Sequence, residues 1–367
     1  MHKILSVVGT RPNFMKLAPV ARVLRERTDV EHVIVHTGQH YDVGMSDSFF
    51  DALDIPSPNY ALAVGSGSHT ETTAAVMAKL EPVLVHERPD VMLVYGDVNS
   101  TVAAAMAAAH RGIPVAHVEA GLRSHDRTMP EELNRCVTDH IASLHFAPSP
   151  DAVLNLKSEG IHGESVHFVG NVMIDSLVHA LPKATAALAV GSVNHERTRA
   201  GAPPYVVTTL HRPSNVDDPE RLRDLILALE ALSREVPVLF AMHPRTRKRL
   251  EEMRLVPNGG GDLHILDPLG YLEMLGLVAN AGLVITDSGG LQEETSYLGV
   301  PCLTLRPNTE RPITCLEGTN ELIPPVGSTL LSHARRVLTA KSPRHRPIIA
   351  KWDGHAADRI VEVLCND

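Results

Sequence analysis

The stretch "ILSVVGTRPNFMKLAP", residues 4–19, runs from a short apolar segment through Gly9-Thr10 into a sequence that presents Arg11 and, five positions later, Lys16. A bare turn needs no cations, so the segment reads as a buried strand whose exit carries two charged groups. The same pattern recurs along the chain. Apolar runs in "HVIVHTG", "VMLVYGD", "PVAHVEAG", "LHFAPS" and "VHFVGN" are followed by others in "YVVTTLHR", "PVLFAMHP", "LHILDP", "LVITDSGG" and "PCLTL". Helix-length stretches such as 73–86 and 99–111 separate them. Short runs that stay apolar on successive residues suit strands covered on both faces, as in the parallel sheets of βαβ units. The chain therefore reads as α/β, with two doubly wound domains. The first is expected over 1–171 and the second over 172–367. Between them the strand rhythm stops near "FVGNVMIDSL" (168–177), an Ala-rich and then Gly/Pro-containing stretch follows, and the rhythm restarts at 205. The tail "GHAADRIVEVLCND" is an amphipathic helix that can pack back on the first domain.

Composition narrows the function. A chain of 367 residues exceeds what one core usually supports, and 44% hydrophobic residues are enough for two. Aromatic residues make up only 4% and the formal net charge is −9, which argues against stacking platforms for nucleic acid and against a general polyanion binder. Any anionic ligand must be met by locally placed cations. Cys136, Cys302, Cys315 and Cys365 show no CxxC spacing and read as small buried hydrophobes in a reducing compartment. The first residues lack a secretory apolar segment and no run approaches membrane-spanning length, so a soluble cytoplasmic protein is expected. The 21 histidines lack close metal-ligand spacing, and no metal is expected.

In open parallel sheets, ligands bind outside the carboxyl ends of the strands, so the polar residues after each run are the candidates. They are Arg11 and Lys16, Gln39-His40, Asp97 in "YGDVNST", Glu119 and Arg123 in "HVEAGLR", His211-Arg212 after "YVVTTL" and His243 after "VLFAM". Their recurrence places both carboxyl edges on one polar cleft. "TDSGGLQEETSYLG", 286–299, adds two glycines at a strand-to-helix turn, where close backbone approach and free N–H groups favour an anion. Ser288, Gly289 and Gly290 then cradle a phosphate, unless Ser288 only caps the helix. "GSGSHT" (65–70) lacks the dinucleotide fingerprint and reads as a loop. Asp97, Glu119 and the pair Glu131-Glu132 in "MPEELNR" bring several carboxylates toward one site, where neighbouring acids push their pKa values apart and can divide acid and base roles. Taken singly, Asp97 is also a plausible helix cap and 130–132 a plausible helix start. "RTRKRLEEMR" (245–254) reads as a solvated helix face of mixed charge.

Seven motifs, "VVGTRPNFMKLAP", "YGDVNST", "HVEAGLRS", "PEELNR", "TLHRPSNVD", "LVITDSGGLQEE" and "TERPI", occur in an order and spacing that resemble the non-hydrolysing UDP-N-acetylglucosamine 2-epimerases. The resemblance implies the glycosyltransferase-B fold, two Rossmann-like domains facing a central cleft. It implies that Arg11 and Lys16 line the active site and that Asp97, Glu119 and Glu131 are the catalytic carboxylates, with Arg135 beside them. His211 matches the active-site histidine. Ser288, Gly289 and Gly290 match the diphosphate cradle, Glu294 the carboxylate on the uridine ribose, and Arg311 and His243 residues near the nucleotide. A homodimer, a UDP-sugar substrate and no cofactor are implied as well.

The reaction so implied is reversible epimerisation at carbon 2 of UDP-N-acetylglucosamine, giving UDP-N-acetylmannosamine. Carbon 2 has no neighbouring ketone to acidify its hydrogen, and the family eliminates UDP to form 2-acetamidoglucal and then adds it back. The alternatives are a hydrolysing 2-epimerase that releases N-acetylmannosamine and UDP, a 2-epimerase of a modified UDP-sugar, a glycosyltransferase of the same fold, or a non-catalytic sugar-nucleotide binder. Two departures stand out. Asn13 replaces the glutamate of many members and is expected to remove a carboxylate from the mouth of the site. "VGSGSHTETT" lacks the sequence associated with an effector pocket for a second substrate molecule.

Overall fold

The computed structural model describes residues 1–38, 53–190, 204–255, 261–340 and 345–366. The chain folds as two units, Met1–Val178 with Ala350–Asp367, and His179–Ile349.

The first unit holds one parallel sheet of β1 (His2–Val8), β2 (Val30–His36), β3 (Tyr60–Ala61), β4 (Val91–Tyr95), β5 (Val115–Val118), β6 (Leu144–Ala147) and β7 (Val166–Phe168). Their spatial order is β3-β2-β1-β4-β5-β6-β7. The second unit repeats the scheme with β8 (Val206–Thr209), β9 (Val238–Ala241), β10 (Leu263–Leu266), β11 (Leu283–Thr286), β12 (Cys302–Leu305) and β13 (Asn320–Ile323), ordered β10-β9-β8-β11-β12-β13. In each sheet the order reverses beside the first strand, between β1 and β4 and between β8 and β11. That crevice is where doubly wound sheets bind ligands.

The second unit shows why its strands read as continuous apolar runs. Val206, Leu283, Ile285 and Leu303 pack into one core with Leu225 and Leu229 of the helix Pro219–Leu232. Their neighbours Val207, Val284 and Cys302 pack into a separate core with Leu277 and Val278 of the helix Tyr271–Asn280. Successive side chains alternate between faces and both faces are covered, so consecutive positions such as Val206-Val207 and Leu283-Val284-Ile285 are apolar. The first unit does the same with Leu5, Val7, Met92 and Val94 under the Ala-rich helix Asn99–His110.

Two strands escaped the sequence reading. β3 has two residues, and β13, "NELI", is an edge strand whose Glu321 and Leu322 are only half-buried. β3 is too short to form a run, and Asn320 and Glu321 leave β13 only two apolar residues. Of the cysteines, only Cys302 is buried; Cys136, Cys315 and Cys365 are partly exposed, and all four are free thiols. The terminal helix Ala356–Asn366 belongs to the first unit, where the buried Asp175 carboxylate accepts the backbone N–H groups of Ala356 and Ala357 at 3.2 and 2.7 Å. Among the described residues no helix is long and apolar enough to cross a membrane.

Candidate active site

In the first unit the polar residues gather where β1, β4 and β5 end. The helix Arg11–Arg25 starts directly after β1 and carries Lys16 into the interior, where its ammonium donates to the Glu119 carboxylate. Both side chains are almost wholly buried, at 6% and 4% exposure. Glu119 follows β5 with φ +74°, a conformation that aims the residue off the strand end. Gly96 sits against this pair with φ +61°. A Cβ there would overlap Lys16 Nζ and lie 3.1 Å from Glu119 Oε2, so both its backbone angle and its surroundings require glycine.

Asp97, the next residue, pairs with Arg135 of the helix Pro130–Ile141. Arg135 also donates to Glu132 Oε2 at 2.5 Å. Glu132 in turn accepts Ser124 N and Oγ, each at 2.9 Å, and His125 N at 2.8 Å. Burial alone would raise its pKa, but the Ser124 and His125 donors and the Arg135 charge outweigh it, and Glu132 lies below its ordinary value. Glu131 is half-buried on the same helix, one turn before Arg135, and among the described residues its carboxylate makes no hydrogen bond or ion pair. Helix geometry explains the split, since adjacent positions point about 100° apart.

Beneath this cluster lies a polar layer that sequence reasoning missed. His117, fully buried in β5, bridges Asp139 Oδ1 at 2.6 Å and the Gly96 carbonyl at 2.8 Å. Asp139 also holds Arg123 at 2.7 Å, and Arg123 completes a two-bond pairing with Glu159. Burial opposes ionisation of Asp139, but His117 and Arg123 together hold it below the usual carboxylate range. Arg123, a strand-exit candidate in the sequence, is thus spent inside the fold. Asn13 also moves inward. It is 2% exposed, accepts Gly9 N at 3.1 Å through Oδ1, and donates through Nδ2 to the Tyr95 carbonyl at 2.8 Å. The expectation that it lies at the mouth of a site is corrected: the β1–helix turn is tied to the end of β4 by an amide that must donate and accept at once.

In the second unit the corresponding crevice between β8 and β11 carries His211, Asp287 and Ser288. His211 follows β8 and its Nδ1 lies 2.8 Å from Asp287 Oδ1. The His243 ring packs against it at 5.4 Å between centroids, and His243 caps the helix Pro244–Glu252 by accepting Arg245 N. Arg245 and Arg249 of that helix pair with Asp217, so the basic run is a charge-balanced surface. Ser288 stands at the N-cap of the helix Gly289–Leu298 without making a side-chain cap bond, which leaves simple capping unsupported as its role. A Cβ on Gly289 would meet Arg311 Nη1 at 2.8 Å and Glu310 Oε1 at 2.9 Å. Arg311 is set there by Glu310 and by Glu293, 2.9 Å from its Nε. Gly290 follows in the first helical turn. Glu294, on the same helix, is buried, and burial with the Glu293 charge beside it pushes its carboxyl up to about 8.

Of the remaining sequence candidates, the backbone of Arg11 opens the first helix, whereas Gln39-His40 lies outside the described residues. The loop expected over 65–70 is one up to Ser68, which caps the helix His69–Glu87.

Comparison with known proteins identifies the family. Residues 22–365 match the family model for UDP-N-acetylglucosamine 2-epimerase. A Methanococcus maripaludis protein named UDP-N-acetylglucosamine 2-epimerase homolog is 43% identical over 99% of both chains. The Pseudomonas aeruginosa UDP-2,3-diacetamido-2,3-dideoxy-D-glucuronate 2-epimerase is 39% identical over 99% of both. The crystal structure of Methanocaldococcus jannaschii UDP-GlcNAc 2-epimerase in complex with UDP-GlcNAc and UDP superposes with a TM-score of 0.88 at 40% identity, covering 100% of each chain.

Proposed function

Because the chain belongs to the UDP-N-acetylglucosamine 2-epimerase family, we propose that it interconverts UDP-N-acetylglucosamine and UDP-N-acetylmannosamine by eliminating UDP and adding it back. A carboxylate of the first unit takes the proton from carbon 2. The carbon 1–oxygen bond breaks, and uridine diphosphate leaves with the electron pair to give 2-acetamidoglucal. Re-addition of UDP, with a proton delivered to the opposite face, inverts carbon 2. Asp97, Glu119 and Glu131 share the proton transfers and stabilise the oxocarbenium-like charge. Lys16 and Arg135 balance the negative charge of this cluster, so that several carboxylates can stand together. In the second unit the N–H groups at the start of the helix Gly289–Leu298, with Ser288 and His211, hold the departing diphosphate. Glu294 faces the uridine ribose, Arg311 and His243 flank the nucleotide, and Arg11 and Lys16 line the active site. We read the enzyme as a cytoplasmic homodimer that uses neither cofactor nor metal.

The observation that carries this reading is the cluster Lys16–Glu119 and Asp97–Arg135–Glu132 around Gly96, at the reversal point of the first sheet. Such a set suits proton transfer at carbon, and a binder of an anionic ligand gains nothing from it. A modified UDP-sugar is the second reading, favoured by the 39% identical relative named for a diacetamido uronate. Proton NMR of the protein with UDP-N-acetylglucosamine in deuterium oxide tests both. UDP-N-acetylmannosamine bearing deuterium at carbon 2, with deuterium in the recovered substrate, is expected. Accumulating free N-acetylmannosamine would move the enzyme to the hydrolysing branch, and an unchanged substrate would favour the modified sugar.

A further inference from the structure

Asp287 belongs to none of the roles above, yet among the described residues it is the most completely enclosed carboxylate at the second crevice. Its side chain is 0% exposed. One oxygen faces His211 Nδ1 at 2.8 Å. The backbone N–H of His211 donates to both oxygens at 3.1 and 3.0 Å, and that of Arg212 to Oδ2 at 2.9 Å. Asn215 Nδ2 donates to Oδ2 at 3.1 Å while also donating to the Leu305 carbonyl at 2.9 Å, which fixes the carboxylate's orientation from the far side. Burial opposes its charge, but His211 and the backbone donors hold the carboxyl below its usual range. Asp287 stands one residue past β11 and His211 two past β8, and these strands are neighbours in register, Thr209 beside Thr286. The two residues therefore meet because the sheet brings their strand exits together.

An ionised carboxylate can only accept, so the ring nitrogen facing it must carry a proton. We propose that Asp287 is a positioning residue that keeps the His211 Nδ1 protonated and turned inward, so that Nε2 is the nitrogen that takes up a proton, gives it as imidazolium to the departing diphosphate oxygen and takes it back when UDP returns. This rests on the reading of His211 as an active-site group. The half-exposed imidazole, 34% accessible, is free to reach a ligand on the Nε2 side while Nδ1 is held in the interior. A purely structural tie between the two strand exits would be served by the backbone and Asn215 donors alone and would leave the tautomer unspecified. The ring's protonation pattern is thus the signature that separates the two.

The experiment uses the full-length protein labelled with 15N-histidine. Long-range 15N–1H correlation is recorded at about pH 9, where an ordinary imidazole is neutral, and the His211 signals are assigned by their loss in His211→Gln. Nδ1–H with a bare Nε2 is expected in the wild type. Asp287→Asn, whose amide can donate to Nδ1, is expected to switch the ring to Nε2–H. Its kcat should fall roughly 100-fold, the lower range for loss of one general acid–base group, with UDP affinity by calorimetry within about threefold of wild type. An Nε2–H ring in the wild type overturns the proposal without needing any variant. So does wild-type kcat in Asp287→Asn when His211→Gln is inactive. Wild-type kcat in His211→Gln would instead overturn the catalytic reading of His211 itself.

Discussion

Replacing Lys16 by Met probes the charge balance of the first crevice. The substitution keeps most of the apolar stem and removes the ammonium, so the packing loss is small. What remains is Glu119, whose side chain is 4% exposed, without the Lys16 ammonium. Removing one member of a buried ion pair costs about 3–5 kcal/mol, because the other charge stays desolvated. For a unit of this size each kcal/mol lowers the melting temperature by about 2–4 °C, so the first unit's transition should fall by roughly 10 °C in differential scanning calorimetry. The double variant Lys16→Met with Glu119→Gln carries neither charge and should recover at least half of that loss. A single variant melting within about 2 °C of wild type would refute the reasoning. A double variant no more stable than the single one would do the same.

Three further outcomes are expected. Asp97→Asn should abolish turnover while UDP still binds; wild-type exchange of the carbon 2 hydrogen in deuterium oxide would remove Asp97 from the mechanism. Glu294 stays protonated in the folded state up to about 8, whereas in the unfolded chain it ionises near 4.5. The native state therefore binds more protons across that window, and stability should fall with rising pH by on the order of 1 kcal/mol per unit. Urea midpoints of wild type against Glu294→Gln between pH 5 and 8 should show this extra slope only in the wild type. Asn13→Asp puts a buried carboxylate against the Tyr95 carbonyl and deletes the donor that bound it. A loss of about 2–4 kcal/mol is expected in urea unfolding, and an unchanged midpoint would show that the amide is not needed as a donor.

The two parallel sheets were legible because a strand covered on both faces carries apolar residues on successive positions, as Val206 and Val207 do while serving different cores. The strand exits were legible for the complementary reason. Once the sheet is parallel, the residues after each run collect at one edge, which is where Lys16, Asp97, Glu119, His211 and Ser288 stand in their respective units. β3 and β13 were not legible, since an edge strand of two residues or of mixed polarity carries no such run.

Pairing was decided by tertiary structure alone. Lys16 and Glu119 are 103 positions apart and meet only because β1, β4 and β5 lie side by side. Arg135 binds Asp97 and Glu132, whereas the neighbouring Glu131 takes no part, a choice made by the rotation of one helix. Arg123 and Asn13, polar residues in site motifs, turn inward to satisfy Asp139 and the Tyr95 carbonyl. Asp287 becomes His211's partner through the register of β8 and β11. Hydrophobic periodicity is a local property that survives in a one-dimensional reading. The choice of partner for a buried charge depends on distances of a few ångströms between distant segments, and these exist only after the sheets have formed.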